Sequence, residues 1–435
     1  MASVTIPRAC NFNSDEELYR WYEREFSDLP FEVVYKQDIL RQGLAFHESA
    51  FYGEYKTKDY FIFTFDRVPL EKMPLEEHLK APEEIRIYGG PHNLRPTVIS
   101  VRINPYSPYV VRRHNEKHAL FFQGDYVADV DFPPVPEYYR HAHEFTLTKP
   151  IGEIAPVIEW GYLIYLTVFR HCQYFGKDEE CQYCDINHNW RQQKRVGRPY
   201  TGVKSTAEVL EALAAIDKYD HTAKAYTITG GSVIQKLQGK NEVDFYLQYP
   251  MAIEKKFPRR WLSKLVVQAW DEDDLRKAWE AGVQIYHPNY EVWDRRLFEK
   301  ICPGKARYIG WDKWMERILK AAKIFGAQNV IPNFVAGVEM AKPYGFEDVD
   351  AAVESSAEGL EFFMSQGITP RFTTWLPEPY TPLGESESAP LEYYLKLLRR
   401  YRELHQKYRL PIPPGYGPAG AGKAVFSVSA FMDVL

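Results

Sequence analysis

The sequence has few cysteines and no long apolar run, and each absence excludes a class of protein. Only 5 of its 435 residues are cysteine, an odd number that does not suit the disulfide framework of a small secreted domain. No apolar run approaches the ~20 residues that span a bilayer, and the N-terminal segment lacks an apolar stretch of signal-peptide length. We therefore expect a cytoplasmic protein without a membrane segment.

The sequence also lacks an excess of positive charge and any low-complexity block. Its formal net charge is −5, whereas nucleic-acid-binding proteins usually carry a basic domain or stripe. Hydrophobic residues make up 45% and charged residues 26% of the chain, which is typical of a folded globular protein. We therefore expect a small-molecule or peptide partner and neither nucleic acid nor membrane.

Three of the few cysteines lie close together. Cys172, Cys181 and Cys184 fall within 13 residues, directly after an apolar run at 162–169. Soft anionic sulfur is the ligand that zinc and iron–sulfur clusters select, so this spacing predicts a metal site. With His171 or His188, the three thiolates would complete a closed structural zinc site. The residues alone leave zinc and iron–sulfur both open.

The first 150 residues have the pattern of an α+β domain. Apolar residues recur at helical spacing over 15–26, whereas 59–65, 97–103 and 119–130 have the composition of strands. Glycine and proline turns separate these segments. We expect an N-terminal α+β domain over 1–150, of a fold that the pattern does not identify.

From about residue 155 strands and helices alternate regularly. A capping box at Ser205 and Glu208 opens one of the helices. This alternation predicts an α/β fold, a full or partial TIM-type (β/α) barrel of parallel strands over 151–410. A tail rich in glycine and proline, 411–435, is a candidate lid over the barrel mouth. The predicted strands are 162–169, 224–229, 264–270, 283–286, 329–336 and 368–376.

Residues suited to cofactor binding follow several predicted strands. The cysteines follow the first strand, and the pair Gly230 and Gly231 follows the second, where glycine lets a backbone approach a ligand closely. Asn289 and Glu291 follow the fourth strand and lie two residues apart, hence on one side of an extended chain. Because chemistry in such barrels gathers at the carboxyl ends of the strands, these groups are expected to share one site.

On these motifs, residues 160–380 resemble the radical S-adenosylmethionine (radical SAM) superfamily, most closely its biotin-synthase type of barrel. The resemblance implies a [4Fe-4S] cluster held by Cys172, Cys181 and Cys184, with one iron open to S-adenosylmethionine. Reductive cleavage of this cofactor would give a 5′-deoxyadenosyl radical, which abstracts hydrogen from a small-molecule or peptide substrate. The electron would come from a donor such as flavodoxin or ferredoxin.

The same resemblance implies a role for five further residues. Tyr183 would lie beside the adenine of the cofactor, and Gly230 and Gly231 would contact its methionine end. Asn289 and Glu291 would meet the ribose hydroxyls.

Two features depart from the usual family pattern. Eight residues separate Cys172 from Cys181, where three are common, and Ser232 stands where a glutamate usually follows the glycine pair. Ser232 remains a candidate cofactor-binding residue, without the carboxylate contact to the amino group of the cofactor. The segment 331–339 resembles a fifth strand whose end lines the adenosyl pocket.

Three other residues are candidates for the reaction. Cys302 is by default a buried, inert cysteine, and its alternative role is that of a thiol that donates a hydrogen atom. Arg371 and Thr373 alternate on the sixth predicted strand and are candidates to face the substrate. The glycine pattern at 415–420 matches a dinucleotide-binding fingerprint but has no strand before it, so we interpret it as a loop.

Two alternative functions stay open at this point. The same cluster would serve a radical methyl or group transferase, although no cobalamin-binding domain is evident in the sequence. A protein stabilised by zinc, which binds a partner without catalysis, would also explain the cysteines.

Overall fold

The computed structural model describes residues 12–58, 65–74, 80–176, 178–198, 200 and 202–435. Cys10 and most of the predicted strand at 59–65 lie outside the described residues. The described elements before residue 150 are helices α1 (Asp15–Glu25), α2 (Phe31–Gln42) and α3 (Glu137–Arg140), strands β1 (Ala45–Phe46), β2 (Glu84–Gly89), β3 (Leu94–Ser100), β4 (Tyr109–His114), β5 (Lys117–Phe122) and β6 (Asp125–Asp131), and 3-10 turns at Glu48–Ala50, Leu70–Lys72 and Ala142–Glu144.

These strands form one six-stranded sheet in the order β1-β4-β5-β6-β2-β3. All neighbouring pairs are antiparallel except β1 and β4, which run parallel. The expectation of a single strand over 119–130 is wrong, because Gln123 and Gly124 adopt positive φ angles of 50° and 97° and reverse the chain. The apolar residues on either side therefore belong to two strands, β5 and β6, which pair with each other.

The second part of the chain alternates strands with helices, as the sequence pattern predicts. Its strands are β7 (Val157–Ile158), β8 (Leu163–Phe169), β9 (Ala225–Gly230), β10 (Leu262–Val267), β11 (Ile285–Pro288), β12 (Asn333–Ala336) and β13 (Arg371–Thr374). Its helices are α4 (Ile151–Ile154), α5 (Ile186–Arg195), α6 (Thr206–Tyr219), α7 (Glu242–Lys256), α8 (Glu272–Glu280), α9 (Arg295–Ile301), α10 (Pro303–Tyr308), α11 (Trp311–Phe325), α12 (Val349–Met364) and α13 (Leu391–Lys407), with 3-10 turns at Ala327–Asn329 and Val338–Met340.

Six parallel strands follow one another in chain order, from β8 to β13. β8, β9, β10 and β11 form one sheet with the short antiparallel β7 at its edge, and β12 pairs with β13. Single bridges, Tyr286 with Val330 and Glu291 with Phe334, join the two sheets. The described strands form parallel sheets that do not close into a barrel, so the full form of the expected barrel is not present among them.

Local sequence explains where these elements begin. β8 is a run of aliphatic and aromatic residues, nearly all buried, as expected for a strand covered on both faces. The capping box before α6 is confirmed, because Ser205 accepts from the backbone N–H of Glu208 and the Glu208 carboxylate accepts from that of Ser205. These signals act within a few residues, which is why the sequence reveals them.

The C-terminal tail lies between the N-terminal sheet and the parallel strands of the second part of the chain. The carbonyl of Ser427 accepts a hydrogen bond from Ser100 of β3 at 3.0 Å, and that of Val428 accepts one from Thr374 of β13 at 3.1 Å. The buried ammonium of Lys36 lies 2.8 Å from the carboxylate of Asp433. Most tail residues from 424 onward are buried, so the tail connects the N-terminal sheet to the open edge of the parallel strands. Its role as a lid stays a proposal.

Among the described residues, none of the helices combines the length and the apolar composition that a membrane crossing requires.

Candidate functional site

A cavity of about 230 Å³ lies at the carboxyl ends of the parallel strands and extends between these strands and the N-terminal sheet. The N-terminal sheet contributes Glu84 and Ser100 to its wall, and the tail contributes Phe426. The cavity brings together every predicted metal-binding and cofactor-binding residue, namely Cys172, Cys181, Tyr183, Cys184, Gly230, Gly231, Ser232, Asn289 and Glu291.

The cysteine loop is held from one side by Asn187, the second residue of α5. Its Oδ1 accepts a hydrogen bond from the backbone N–H of Cys172 at 3.0 Å, and its Nδ2 donates to the Cys172 carbonyl at 3.3 Å. The same Nδ2 lies 3.1 Å from the carboxylate of Glu180, which precedes the second cysteine. One amide side chain therefore fixes both ends of the eight-residue gap.

The later part of the loop is held at the junction where α9 ends and α10 begins. The N–H of Gln182 donates to the carbonyl of Ile301 at 2.8 Å, and the N–H of Gly304 donates to that of Glu179 at 3.1 Å. A Cβ on Gly304 would lie 2.5 Å from that carbonyl oxygen, so this contact requires glycine. The unusual length of the gap is used to reach this neighbouring segment.

The glycine pair lies against the start of the cysteine loop. A Cβ on Gly231 would lie 2.0 Å from the carbonyl oxygen of His171 and 2.5 Å from the Cα of Cys172. The N–H of Ser232 is directed at the sulfur of Cys172 at 3.3 Å. Glycine is therefore required at Gly231 because the end of β9 approaches the cysteine loop closely. The same approach places the N–H of Ser232 beside the sulfur of Cys172, a predicted metal ligand.

Burial dominates the ionisation of two of the three thiols. It raises the pKa of Cys172 to about 12 and that of Cys184 well above its ordinary value. The pKa of Cys181 is lowered, first by a hydrogen bond with Cys302 and then, against the effect of burial, by the nearby ammonium of Lys305. Because buried thiolates need compensating positive charge, a bound metal would release their protons.

The alternative of a closed zinc site is not supported by the positions of the two histidines. In the described part of the chain, no group of three or more histidine, cysteine, aspartate or glutamate side chains is arranged to hold a single metal ion. The ring of His171 packs against Trp190, and the ring of His188 lies 3.7 Å from the carboxylate of Glu180. Three thiols that each bind a different iron of one cluster do not need to converge on one point.

Asn289 and Glu291 differ in what they offer a ligand. The Oδ1 of Asn289 is buried and has no hydrogen-bond partner, although buried polar atoms nearly always have one. The carboxylate of Glu291 is already paired with the ammonium of Lys305, which also lies 3.3 Å from the Asn289 carbonyl. Asn289 therefore has an unused acceptor at the cavity, whereas Glu291 shares its charge. Sequence reasoning missed Lys305, and its only signal is its place three residues after Cys302.

Cys302 occupies a different position from the other site residues. It is fully buried at the end of α9, behind Cys181, and does not line the cavity. Burial raises the pKa of this thiol well above its ordinary value. A hydrogen-atom donor must reach a molecule in the cavity, so the candidate catalytic role of Cys302 does not fit its position.

Further polar groups line the cavity below the level of the cysteines. Arg371 and Thr373 both face it, as the alternation on the sixth predicted strand suggests. Glu159 and Tyr165 also line it, and sequence reasoning missed both. Glu159 lies in the turn before β8, where nothing in the local pattern distinguishes it from a surface carboxylate.

Comparison with known proteins gives remote similarities. No family model matches the sequence. A curated protein of similar sequence is the bacteriochlorophyllide c C-7(1)-hydroxylase of Chlorobaculum limnaeum, which is 23% identical over 167 residues, covering 37% of this chain and 37% of that protein. The chain therefore spans little more than a third of the length of this relative.

Solved structures give likenesses of the same kind. Methylornithine synthase has a TM-score of 0.39 and 16% identity, over 55% of this chain and 62% of that chain. A radical S-adenosylmethionine methyltransferase from Kitasatospora setae, with cobalamin and a [4Fe-4S] cluster bound, has a TM-score of 0.35 and 14% identity, over 63% and 48% of the two chains.

Proposed function

We propose that this protein is a radical SAM enzyme, in which Cys172, Cys181 and Cys184 hold a [4Fe-4S] cluster beside bound S-adenosylmethionine. The observation that carries the proposal is the shared cavity, in which three thiols lie together with the glycine pair of β9. A zinc-stabilised binding protein would explain the thiols but not the cavity with further polar side chains that extends below them.

The residues at the cavity fit such a cofactor pair. Three thiols are the ligand set that leaves one iron of a [4Fe-4S] cluster open. The unpaired Oδ1 of Asn289 is suited to accept a hydrogen bond from a ribose hydroxyl. Glu291 also lines the cavity, where its carboxylate is paired with Lys305, and Tyr183 offers a ring for stacking. When bound, the cluster and cofactor would supply a 5′-deoxyadenosyl radical for hydrogen abstraction.

The chain itself would shield the reacting groups from water. The cavity lies between the parallel strands, the N-terminal sheet and the tail, and its wall includes Trp375 and Phe426, which are both buried. Such an enclosure suits radical chemistry, because it keeps solvent from the reacting atoms. The substrate in this proposal is a small molecule or a short peptide segment, and the electron comes from a donor of the flavodoxin or ferredoxin kind.

The test is metal analysis of the chain purified without oxygen. We expect a brown protein with about four iron atoms per chain. Replacement of Cys172, Cys181 or Cys184 by alanine should remove most of this iron, since each thiol holds one iron. The protein with its cluster, given a strong one-electron reductant, should convert S-adenosylmethionine to 5′-deoxyadenosine.

Cys302→Ala is the matched control, because it removes a neighbouring thiol that does not line the cavity. It should keep its iron. A colourless protein that holds one zinc, or cysteine variants that keep all their iron, would contradict the proposal.

A further inference from the structure

Below the cysteines, the cavity continues into a compartment with several polar side chains, which we call the inner chamber. Its wall combines polar side chains from four parallel strands and from the turn before β8, where the interior of a closed barrel holds mainly branched aliphatic residues. Apolar Leu163 and Val335 lie among them. The polar members of the inner chamber are Glu159, Tyr165, Thr229, Asn333, Arg371 and Thr373.

We propose that the inner chamber binds the substrate, and that the substrate is a small amino-carboxylic acid whose carboxylate meets Arg371 and whose amino group meets Glu159. This inference rests on the proposed function, because it assigns the substrate of the same cavity. It is carried by two groups of opposite charge, each with a buried hydrogen-bonding atom that has no partner.

Arg371 supplies the unpaired donor. It is the first residue of β13, and its Nε is buried without a hydrogen-bond partner. Its guanidinium lies 5.7 Å from the ring centre of Tyr416 and 5.8 Å from that of Phe426. Among the described residues, no carboxylate forms an ion pair with it. A guanidinium is suited to bind a carboxylate through two parallel hydrogen bonds, so an anionic group of the ligand would complete this site.

Glu159 supplies the unpaired acceptor, and hydrogen bonds to its backbone fix its position. Glu159 and Trp160 have φ angles of 55° and 54°, in the left-handed region that non-glycine residues rarely adopt. The buried carboxylate of Glu84 accepts hydrogen bonds from both of their N–H groups at 2.8 Å. Such local strain persists where the surrounding structure fixes it, often at functional sites. The result is a buried Oε2 of Glu159 that has no partner.

The charges favour a zwitterion over a ligand of one sign. The positive charges of Lys264 and, to a smaller extent, Arg371 act on the carboxyl of Glu159, yet neither side chain forms an ion pair with it. Lys264 instead donates to the carbonyl of Gly415 at 2.9 Å and lies 3.8 Å from the ring centre of Tyr416, outside the cavity wall. A ligand with both an amino group and a carboxylate would pair both charges and add no net charge to a buried site.

Thr229 of the inner chamber adjoins Gly230, whereas Arg371 and Tyr165 lie deeper than the place expected for the methionine end of the cofactor. Arg371 lies three residues before the end of β13, and Tyr165 lies four residues before the end of β8. At about 3.3 Å per residue, these positions are roughly 10–13 Å below the strand ends. Gly230 and Gly231 lie at the end of β9. Since S-adenosylmethionine is itself an amino acid, this separation must be part of the test.

The test is calorimetric binding to the full chain with its cluster, without reductant and with S-adenosylmethionine present at saturation. The probes are the standard amino acids, with butanoate and butylamine as ligands of one charge. We expect at least one amino acid to bind, and butanoate and butylamine to bind at least about tenfold more weakly. Arg371→Met should lower the affinity for that amino acid by about ten- to a hundredfold, and Glu159→Gln should lower it by about tenfold, because each removes a charge-assisted hydrogen bond.

Two further variants control for folding and for charge. Arg276→Met removes a half-exposed arginine on the outer face of α8 and should bind like the unmodified protein. Arg371→Lys keeps the charge but not the two-pronged geometry, so it should bind with intermediate affinity even if the methionine variant fails to fold.

The outcomes separate the two proposals. If no amino acid binds, or if Arg371→Lys and Glu159→Gln both bind it like the unmodified protein, the inference is overturned. Iron content and S-adenosylmethionine affinity are measured on the same samples. A chain without a cluster contradicts the proposed function, while the amino acid titration still reports on the inner chamber. A chain with a cluster but without amino acid binding contradicts only the present inference.

Discussion

Gly231→Ala is the substitution that most directly tests how the site is assembled. The added Cβ would lie 2.0 Å from the carbonyl oxygen of His171 and 2.5 Å from the Cα of Cys172, and both of these atoms belong to backbone. Side-chain rotation cannot relieve this contact. The end of β9 and the cysteine loop must therefore move apart by about 1 Å or more, because non-bonded carbon and oxygen atoms do not approach so closely.

The magnitude follows from what this movement disrupts. Overpacking of a well-packed site costs about 1–3 kcal/mol. The separation also weakens the hydrogen bond from Gln173 to the carbonyl of Ser232, at 2.9 Å, and the contact from Ser232 to the sulfur of Cys172, at 3.3 Å. Each such bond contributes about 1 kcal/mol. We expect the free energy of unfolding to fall by about 2–4 kcal/mol, and the iron content to fall with it because Cys172 is displaced.

The assay combines urea unfolding, followed by circular dichroism, with iron analysis after reconstitution without oxygen. Gly239→Ala is the control. Gly239 has a positive φ of 79° but open space around its Cβ position, so alanine there costs only about 1 kcal/mol of backbone strain and should leave iron unchanged. If Gly231→Ala has the stability and iron content of the unmodified protein, the inferred contact between β9 and the cysteine loop is wrong.

Three further predictions concern buried groups. Burial raises the pKa of Glu159 from 4.5 to about 7, so its contribution to stability is complete below pH 4.5 and is lost as the pH rises to about 7. The free energy of unfolding of Glu159→Gln, relative to that of the unmodified protein, should therefore rise by up to about 3 kcal/mol as the pH increases from about 5 to about 8. An equal difference between the two proteins in urea unfolding at both pH values would refute this. Asp433→Ala leaves the buried ammonium of Lys36 uncompensated and should lower stability by about 3–5 kcal/mol, against at most about 1 kcal/mol for Glu361→Ala in an exposed pair; similar losses in thermal unfolding would count against it. Cys302→Ala should lower the melting temperature slightly by removing a buried thiol but keep the iron, whereas loss of iron would make Cys302 a ligand.

Local signals in the sequence predicted much of the parallel sheet. The predicted strand at 224–229 corresponds to β9, Ala225–Gly230, and the one at 264–270 overlaps β10, Leu262–Val267. Both are short runs whose side chains are mostly buried, and capped helices follow them. Strand 119–130 failed as a prediction because a tight turn at Gln123 needs no proline and only one glycine, so the apolar pattern continued across it.

The candidate site was predictable only in part. Cysteines and glycines that follow predicted strands can be recognised in the sequence. Since the fold brings the carboxyl ends of parallel strands to one edge, their positions predict a shared site. Lys305 was not predictable, since its partner Glu291 is 14 residues away and the pairing depends on how α10 packs. The unpaired atoms of Glu159 and Arg371 are equally invisible, because being unpaired is a property of the surrounding structure.

The sequence by itself determined the alternation of strands and helices, the cysteine spacing and the chemistry that such thiols select, because these depend on nearby residues or on side-chain type. Tertiary structure alone decided that the strands stay open, that the tail lies between the two sheets, and that Cys302 lies behind Cys181 rather than at the cavity. Each of these depends on contacts between residues far apart in the chain, such as Thr374 with Val428. Such contacts are selected by packing and by the need to pair buried polar groups, which no local pattern records.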